Sequence, residues 1–361
     1  MRVAVLGAGG IIAPAIVRDL AESDEVTDLL LLDLSANRAA IVAERHGGAK
    51  ARIAAVDARD GLAEHLQDID ILVNSASYRV NLTAMNACLQ TATHYIDLGG
   101  LYHLTGDQLE LDSRFREAGL LALLGMGSAP GKTNVMAARA VRALGAPPER
   151  IDVLAAGRDL DPPQGPSYPY SPRTLIDELT LSPIVIRDGI PVRLEAMHAG
   201  GSYEFPRPIG TAETMFTLHS EVRTFAESFG CRQCSFRLSL APAVLALLRP
   251  LITASDAEIE AAAHAAVPAS ADSVSAHVIV AERDGKRVTV TALTHGIEAW
   301  GLGGGIISTA APAAAAVRLM ARGRIAATGA LPPERCVDPD DLFAELELRG
   351  CTFEIKETSA T

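Results

Sequence analysis

A short apolar strand pattern, "VAVL", runs into Gly7-Ala8-Gly9-Gly10-Ile11-Ile12 and then into a helical pattern. Gly7 suits a tight turn, and Gly9 and Gly10 let backbone amides approach a pyrophosphate at the N-terminus of the following helix. Ile12 stands where that dinucleotide fingerprint has its third glycine. Asp33 closes the next apolar run, where an acidic side chain would accept the adenosine ribose hydroxyls. Its charge would repel a 2′-phosphate, so NAD is the expected cofactor, with NADP the alternative that Arg38 would favour. Asp57 and Asn74-Ser75-Ala76 follow the third and fourth apolar runs, at the rim where such sheets bind ligands. For Asp57 and Asn74, loop capping is an equal alternative.

A second glycine-rich stretch, "GMGSAPGKTN", resembles a phosphate-binding loop only superficially. Counting back from Gly131 places Met126 where that loop requires glycine, and Pro130 lacks an N–H that the loop would use. In "LHSE", His219 is the side chain best tuned to accept a proton near neutral pH, and Glu221 could orient it. Glu221 could equally pair with Arg223 or cap a helix. Cys231 and Cys234 have the spacing of a metal or redox pair, but no second pair follows, so they are expected to be ordinary thiols and no metal is expected.

Around these residues the chain has an ordinary globular composition: 361 residues, 48% hydrophobic and 21% charged. A net charge of −12 argues against nucleic-acid or anionic-membrane partners, and no basic run appears. The longest apolar runs, such as "GLLALLG", are too short to span a bilayer. The sequence enters a strand pattern at once, without signal-peptide character, and five scattered cysteines suit a reducing compartment. A cytoplasmic protein is therefore expected.

Up to about residue 125, short apolar runs alternate with helical patterns, the signature of a doubly wound parallel sheet, that is, an α/β Rossmann domain. Later the pattern changes to hairpins around Asp188-Gly189 and Asp284-Gly285, implying a second α/β domain with a mixed sheet. A long Ala-rich helix follows Gly301. The expected division is 1–130 for the dinucleotide domain, 131–300 for a substrate and dimerisation domain, and 301–361 for helices. Exposed edges of the second sheet suggest a homodimer.

Ala87, Cys88, Tyr95, Asp97 and Gly100, followed by Gly127, Pro130, Gly131 and Asn134, resemble the paired motifs of the saccharopine dehydrogenase-like family. The Lys-Thr after Gly131 fills variable positions of that motif. This resemblance implies that the C-terminal helix returns to the Rossmann domain, and that Pro130 and Gly131 border the cofactor. It implies hydride transfer between nicotinamide and a carbon bearing nitrogen, on a small amino-acid or polyamine substrate. An ammonium must lose a proton before such oxidation, and the candidate bases are Asp97, His219 and Glu221. "LHSE" is similar to a His-x-Glu segment of polyamine-forming relatives. Tyr168, Tyr170 and Arg173 resemble a loop bordering substrate, where an arginine could hold a carboxylate; a Pro-stiffened turn with Ser171 as helix cap is the alternative. The layout implies oxidative deamination of the lysine 6-dehydrogenase kind. The alternatives are reductive condensation, as in saccharopine or carboxynorspermidine formation, and a sensor that binds dinucleotide without turnover.

Overall fold

The computed structural model describes residues 1–359. These residues form two compact units, and both units take residues from two separate stretches of chain: 1–135 with 309–346, and 136–308 with 347–359.

In the first unit, strands β1 (Arg2–Leu6), β2 (Asp28–Asp33), β3 (Ala51–Ala55), β4 (Ile71–Asn74), β5 (His94–Asp97) and β6 (Leu121–Leu123) are joined by the short strand Gly329–Leu331. All seven are parallel, and their order is 329–331, β6, β5, β4, β1, β2, β3. Runs such as Leu29–Leu32 are apolar at every position because the strand is covered on both faces, and all four leucines are buried. β1 lies between β2 and β4, so the strand order reverses there. Such a reversal, flanked here by the loops after β1 and β4, is where open α/β sheets bind ligands.

The segment that returns to this unit carries Arg318, which is 3% exposed. Its guanidinium meets Asp19 at 2.7 Å and Glu345 at 2.6 Å. A buried guanidinium needs such partners, and the two carboxylates fix the register of the returning segment. The Ala-rich helix Gly304–Ala321 is long and apolar enough to cross a membrane, contrary to the reading of the apolar runs. Since 78% of it is buried inside the protein, it serves as a core helix.

The second unit is built on a mixed sheet of β7 (Arg150–Asp159), β8 (Ile184–Arg187), β9 (Ile190–Arg193), β10 (Ala199–Glu204), β11 (Thr211–Phe216), β12 (Gln233–Ser239), β13 (Ser273–Arg283) and β14 (Lys286–His295). Only β7 and β12 pair in parallel. The expected hairpins join β8 to β9 and β13 to β14. Both turn residues have positive φ, 53° and 80° at Asp188-Gly189 and 48° and 75° at Asp284-Gly285, as a two-residue hairpin of this hand requires.

The closing residues differ from expectation. Rather than helices, the last described residues form the strand Cys351–Ser359, which extends this second sheet beside β14. Its sequence, "CTFEIKETS", is suited to an edge strand with one face covered. The expected boundaries at 130 and 300 also move, to 135 and 308, inside the helices Lys132–Leu144 and Gly304–Ala321.

Candidate functional site

In the first unit, the loop after β1 is shaped by residues around it. A Cβ at Gly7 would lie 2.6 Å from the Ala76 amide nitrogen, so glycine permits the close approach of the loop after β4. Gly7 also has φ of +77°. Gly10 N–H donates to the Gly7 carbonyl at 2.9 Å, which closes the turn. The helix Ala13–Ala21 then begins behind Ile12 with no side-chain cap. Among the described residues, the amides of Ile11 and Ile12 have no protein partner. Uncapped amides beside a glycine turn at a helix N-terminus suit a pyrophosphate, so these residues fit a dinucleotide.

Asp33 is buried, and its carboxylate accepts from Gly9 N–H at 2.9 Å and Ser35 N–H at 3.0 Å. Arg38 lies across the same loop and donates to the Gly9 carbonyl at 2.9 Å. Asp33 therefore holds the glycine turn, beyond the ribose contact expected of it. Asp57 is exposed and accepts from Arg59 N–H, an Asx turn. Asn74 is buried; it donates to Asn81 and to the Tyr95 hydroxyl and accepts from the Ala76 amide. The Ser75 hydroxyl donates to the Leu6 carbonyl at 2.9 Å, tying β4 to β1.

Asp97 is 1% exposed and accepts four hydrogen bonds. Gln108 and Asn81 side chains donate to one oxygen at 2.6 and 3.1 Å, and the amides of Gly125 and Gly99 donate to the other at 2.7 and 2.9 Å. Burial raises the Asp97 pKa against the pull of these donors. With every oxygen engaged inside the protein, Asp97 pins two loops and is not placed to take a proton from a ligand. Pro130 packs on Gly99 and Gly125. Lys132 and Thr133 amides are bonded to the Gly127 and Ser128 carbonyls, and a Cβ at Gly131 would lie 2.2 Å from the Gly127 oxygen. Pro130 and Gly131 thus build a tight loop whose own carbonyls occupy the amides that a phosphate would need.

The second unit holds a cluster of buried ionisable side chains. His219 immediately precedes the helix Ser220–Phe229, and its ring stacks on Phe236 of β12, centroids 3.4 Å apart and planes at 9°. Its Nδ1 lies 3.1 Å from Glu221 Oε2, and its Nε2 lies 3.6 Å from Glu178 Oε1. Exposures are 4% for His219, 0% for Glu221 and 4% for Glu178. Tyr170 donates its hydroxyl to Glu178 Oε2 at 2.5 Å. Burial by itself depresses the imidazole pKa and is the largest single influence. The charge of Glu221, together with the bonds to both glutamates, outweighs it and raises His219 to about 9. The expected neutral base is therefore an imidazolium at neutral pH.

The sequence reading brought His219 and Glu221 together correctly but passed over Glu178. Tyr168 is buried in the apolar cluster around Leu175 and Leu248. Arg173, expected to face a carboxylate ligand, instead meets Asp177 at 3.5 Å and Asp256. Ser171 stands at the cap position of the helix Pro172–Thr180, yet its side chain makes no capping bond. Cys231 and Cys234 are buried free thiols, and no group of three or more His, Cys, Asp or Glu side chains arranged to hold a metal occurs among the described residues.

The fold and the glycine turn define a nicotinamide dinucleotide-binding protein. Residues 3–123 match the family model described as saccharopine dehydrogenase NADP binding domain. Carboxyaminopropylagmatine dehydrogenase from Synechocystis sp. is 25% identical over 261 residues, 69% of this chain and 65% of that protein. Carboxynorspermidine synthase from Vibrio alginolyticus is 25% identical over 199 residues, 52% of this chain and 48% of that one. Both matches thus span less than two thirds of the relatives' own length. Among solved structures, apo saccharopine dehydrogenase (L-Glu forming) from Saccharomyces cerevisiae superposes with a TM-score of 0.72 and 16% identity, covering 99% of this chain and all of that one. That likeness bears on the fold alone.

Proposed function

We propose that this chain is an NAD(P)-dependent oxidoreductase acting on a carbon–nitrogen bond, and that its preferred reaction is reductive condensation of an amine with a carbonyl compound. Support comes from the names of its relatives and, above all, from one observation: His219 lies between two buried carboxylates and is held protonated at neutral pH. Joining an amine to a carbonyl carbon passes through a carbinolamine, which must lose water, and that loss needs a proton donor. An imidazolium with a pKa of about 9 retains its proton at neutral pH and can release it when the reaction requires it. Oxidative deamination, the reaction expected from the sequence, would need the neutral imidazole, which at pH 7 is present in roughly one molecule in a hundred.

Gly7, Gly9, Gly10, Ile11 and Ile12 would hold the pyrophosphate, and Asp33 and Arg38 would border the adenosine ribose. When bound, the reduced nicotinamide supplies the two electrons that convert an imine to an amine. The protein's own part is to bind the dinucleotide, hold the Glu178–His219–Glu221 group at a fixed protonation state and deliver the proton. Lysine, ornithine, agmatine and diamines, each assayed with and without a 2-oxo acid or an aldehyde, test the reading. Consumption of NADH or NADPH at neutral pH only when amine and carbonyl are both present is expected. Reduction of NAD(P) by an amine alone, with no condensation in any pairing, would refute it in favour of deamination. Tight dinucleotide binding without turnover would favour the sensor.

A further inference from the structure

We propose that Tyr170 and Glu178 form a proton relay that connects buried His219 to the reacting substrate. The inference rests on the reading of His219 as the proton donor. Both ring nitrogens of His219 face carboxylates, one face of the ring is covered by Phe236, and only 4% of the residue is exposed. A substrate atom therefore has no open ring nitrogen to meet. The path outward runs from Nε2 to Glu178, 3.6 Å away, and from Glu178 through a hydrogen bond to the hydroxyl of half-buried Tyr170, whose pKa burial pushes up.

The groups that face His219 are Glu221, from its own helix, and Glu178, from the helix Pro172–Thr180; β12 presents the uncharged Phe236 ring. Cys234, also on β12, is near enough to Glu221 to feel its charge. Glu221 anchors Nδ1, which leaves Nε2 as the end that can exchange a proton with Glu178. Their 3.6 Å separation closes to a hydrogen bond with a shift of about half an ångström.

The transfer balances. In the condensing direction, once Glu178 is protonated the Tyr170 hydroxyl turns from donating to Glu178 and passes its proton to the carbinolamine hydroxyl, which leaves as water while the nitrogen lone pair forms the C=N bond. Tyr170 regains a proton from Glu178, which was supplied from His219 Nε2; a half-turn about the Glu178 Cγ–Cδ bond carries the proton from one oxygen to the other. Overall, imidazolium and neutral carbinolamine give imidazole, iminium and water. Tyr170 is then the catalytic residue, and Glu178 and His219 act through it.

The test uses the full chain with Tyr170→Phe, Glu178→Gln and His219→Gln, assayed for condensation, with the His219 titration followed by NMR. Tyr170→Phe keeps both carboxylates, so His219 should still titrate near pH 9, while kcat falls about a hundredfold and dinucleotide affinity is retained. Glu178→Gln should lower the titration midpoint and kcat together. Were Tyr170→Phe to retain more than a third of kcat while His219→Gln loses a hundredfold, the relay would be overturned and the role of His219 would stand. If His219→Gln itself retained kcat, the underlying reading would fail instead. Should Tyr170→Phe not fold, 3-fluorotyrosine at position 170 keeps the hydroxyl while acidifying it. A changed kcat and solvent isotope effect would support the relay, and unchanged values would overturn it.

Discussion

His219→Gln separates the electrostatic account from a merely structural histidine, because two independent readouts follow from one number. In the folded protein His219 titrates at about 9, against 6.5 for the ordinary imidazole. A folded-state pKa above the unfolded value means that the native state binds the proton more tightly. The resulting stabilisation is complete below about pH 6.5, declines as the pH rises and is lost above about 9. A shift of this size corresponds to about 3 kcal/mol. Urea unfolding of the wild type and of His219→Gln at pH 6 and pH 10 measures it: the wild-type free energy should fall by about 3 kcal/mol more than that of the variant over this interval. Kinetics supply the second readout. In the oxidative direction, wild-type kcat/KM should rise about tenfold per pH unit and level off near 9, and the variant should lose this limb together with a hundredfold or more of kcat. Equal pH dependence of stability in the two proteins, or an unchanged kinetic limb, would refute the reasoning.

Asp97→Asn places an amide where two N–H donors now meet an oxygen, so stability should fall by at least about 2 kcal/mol in denaturant unfolding while the kinetic pH profile of the folded enzyme stays unchanged. A lost or shifted kinetic limb would instead restore Asp97 to the chemistry. Gly9→Ala introduces a Cβ only 2.6 Å from that of Arg38, so the loop must shift, and dinucleotide binding should weaken about tenfold or more, read by the change in nicotinamide fluorescence. Arg38→Ala should weaken NADPH about tenfold or more and NADH by less than about threefold. Asp33→Ala frees the Gly9 and Ser35 amides and should weaken both cofactors.

Much of the first unit was legible because parallel strands covered on both faces are continuous apolar runs, and Gly7, Gly9 and Asp33 have fixed spacing around them. The hairpins at Asp188-Gly189 and Asp284-Gly285 were equally plain, since few residues accept positive φ twice in succession. The unit boundaries were not, because they fall within continuous helices, where composition does not change. The closing strand Cys351–Ser359 was missed because an edge strand depends on a partner, β14, far away in sequence. Glu178 was passed over in the sequence. Its signal was faint: it sits in "LIDEL" eight residues after Tyr170, and only folding sets it beside His219. For the same reason the raised pKa of His219 could not be read from the sequence, which shows Glu221 nearby and not the second carboxylate. Asp97 misled in the opposite sense, because its four donors come from two separate helices and two separate loops.

Transfer of deuterium from specifically deuterated NADH or NADPH tests the central claim most directly. With an amine and a carbonyl partner at neutral pH, the account predicts a secondary-amine product carrying one deuterium on the carbon bonded to nitrogen, seen by mass spectrometry and placed by NMR. A product without deuterium at that carbon, or dinucleotide bound but never consumed with any amine and carbonyl pair, would contradict it.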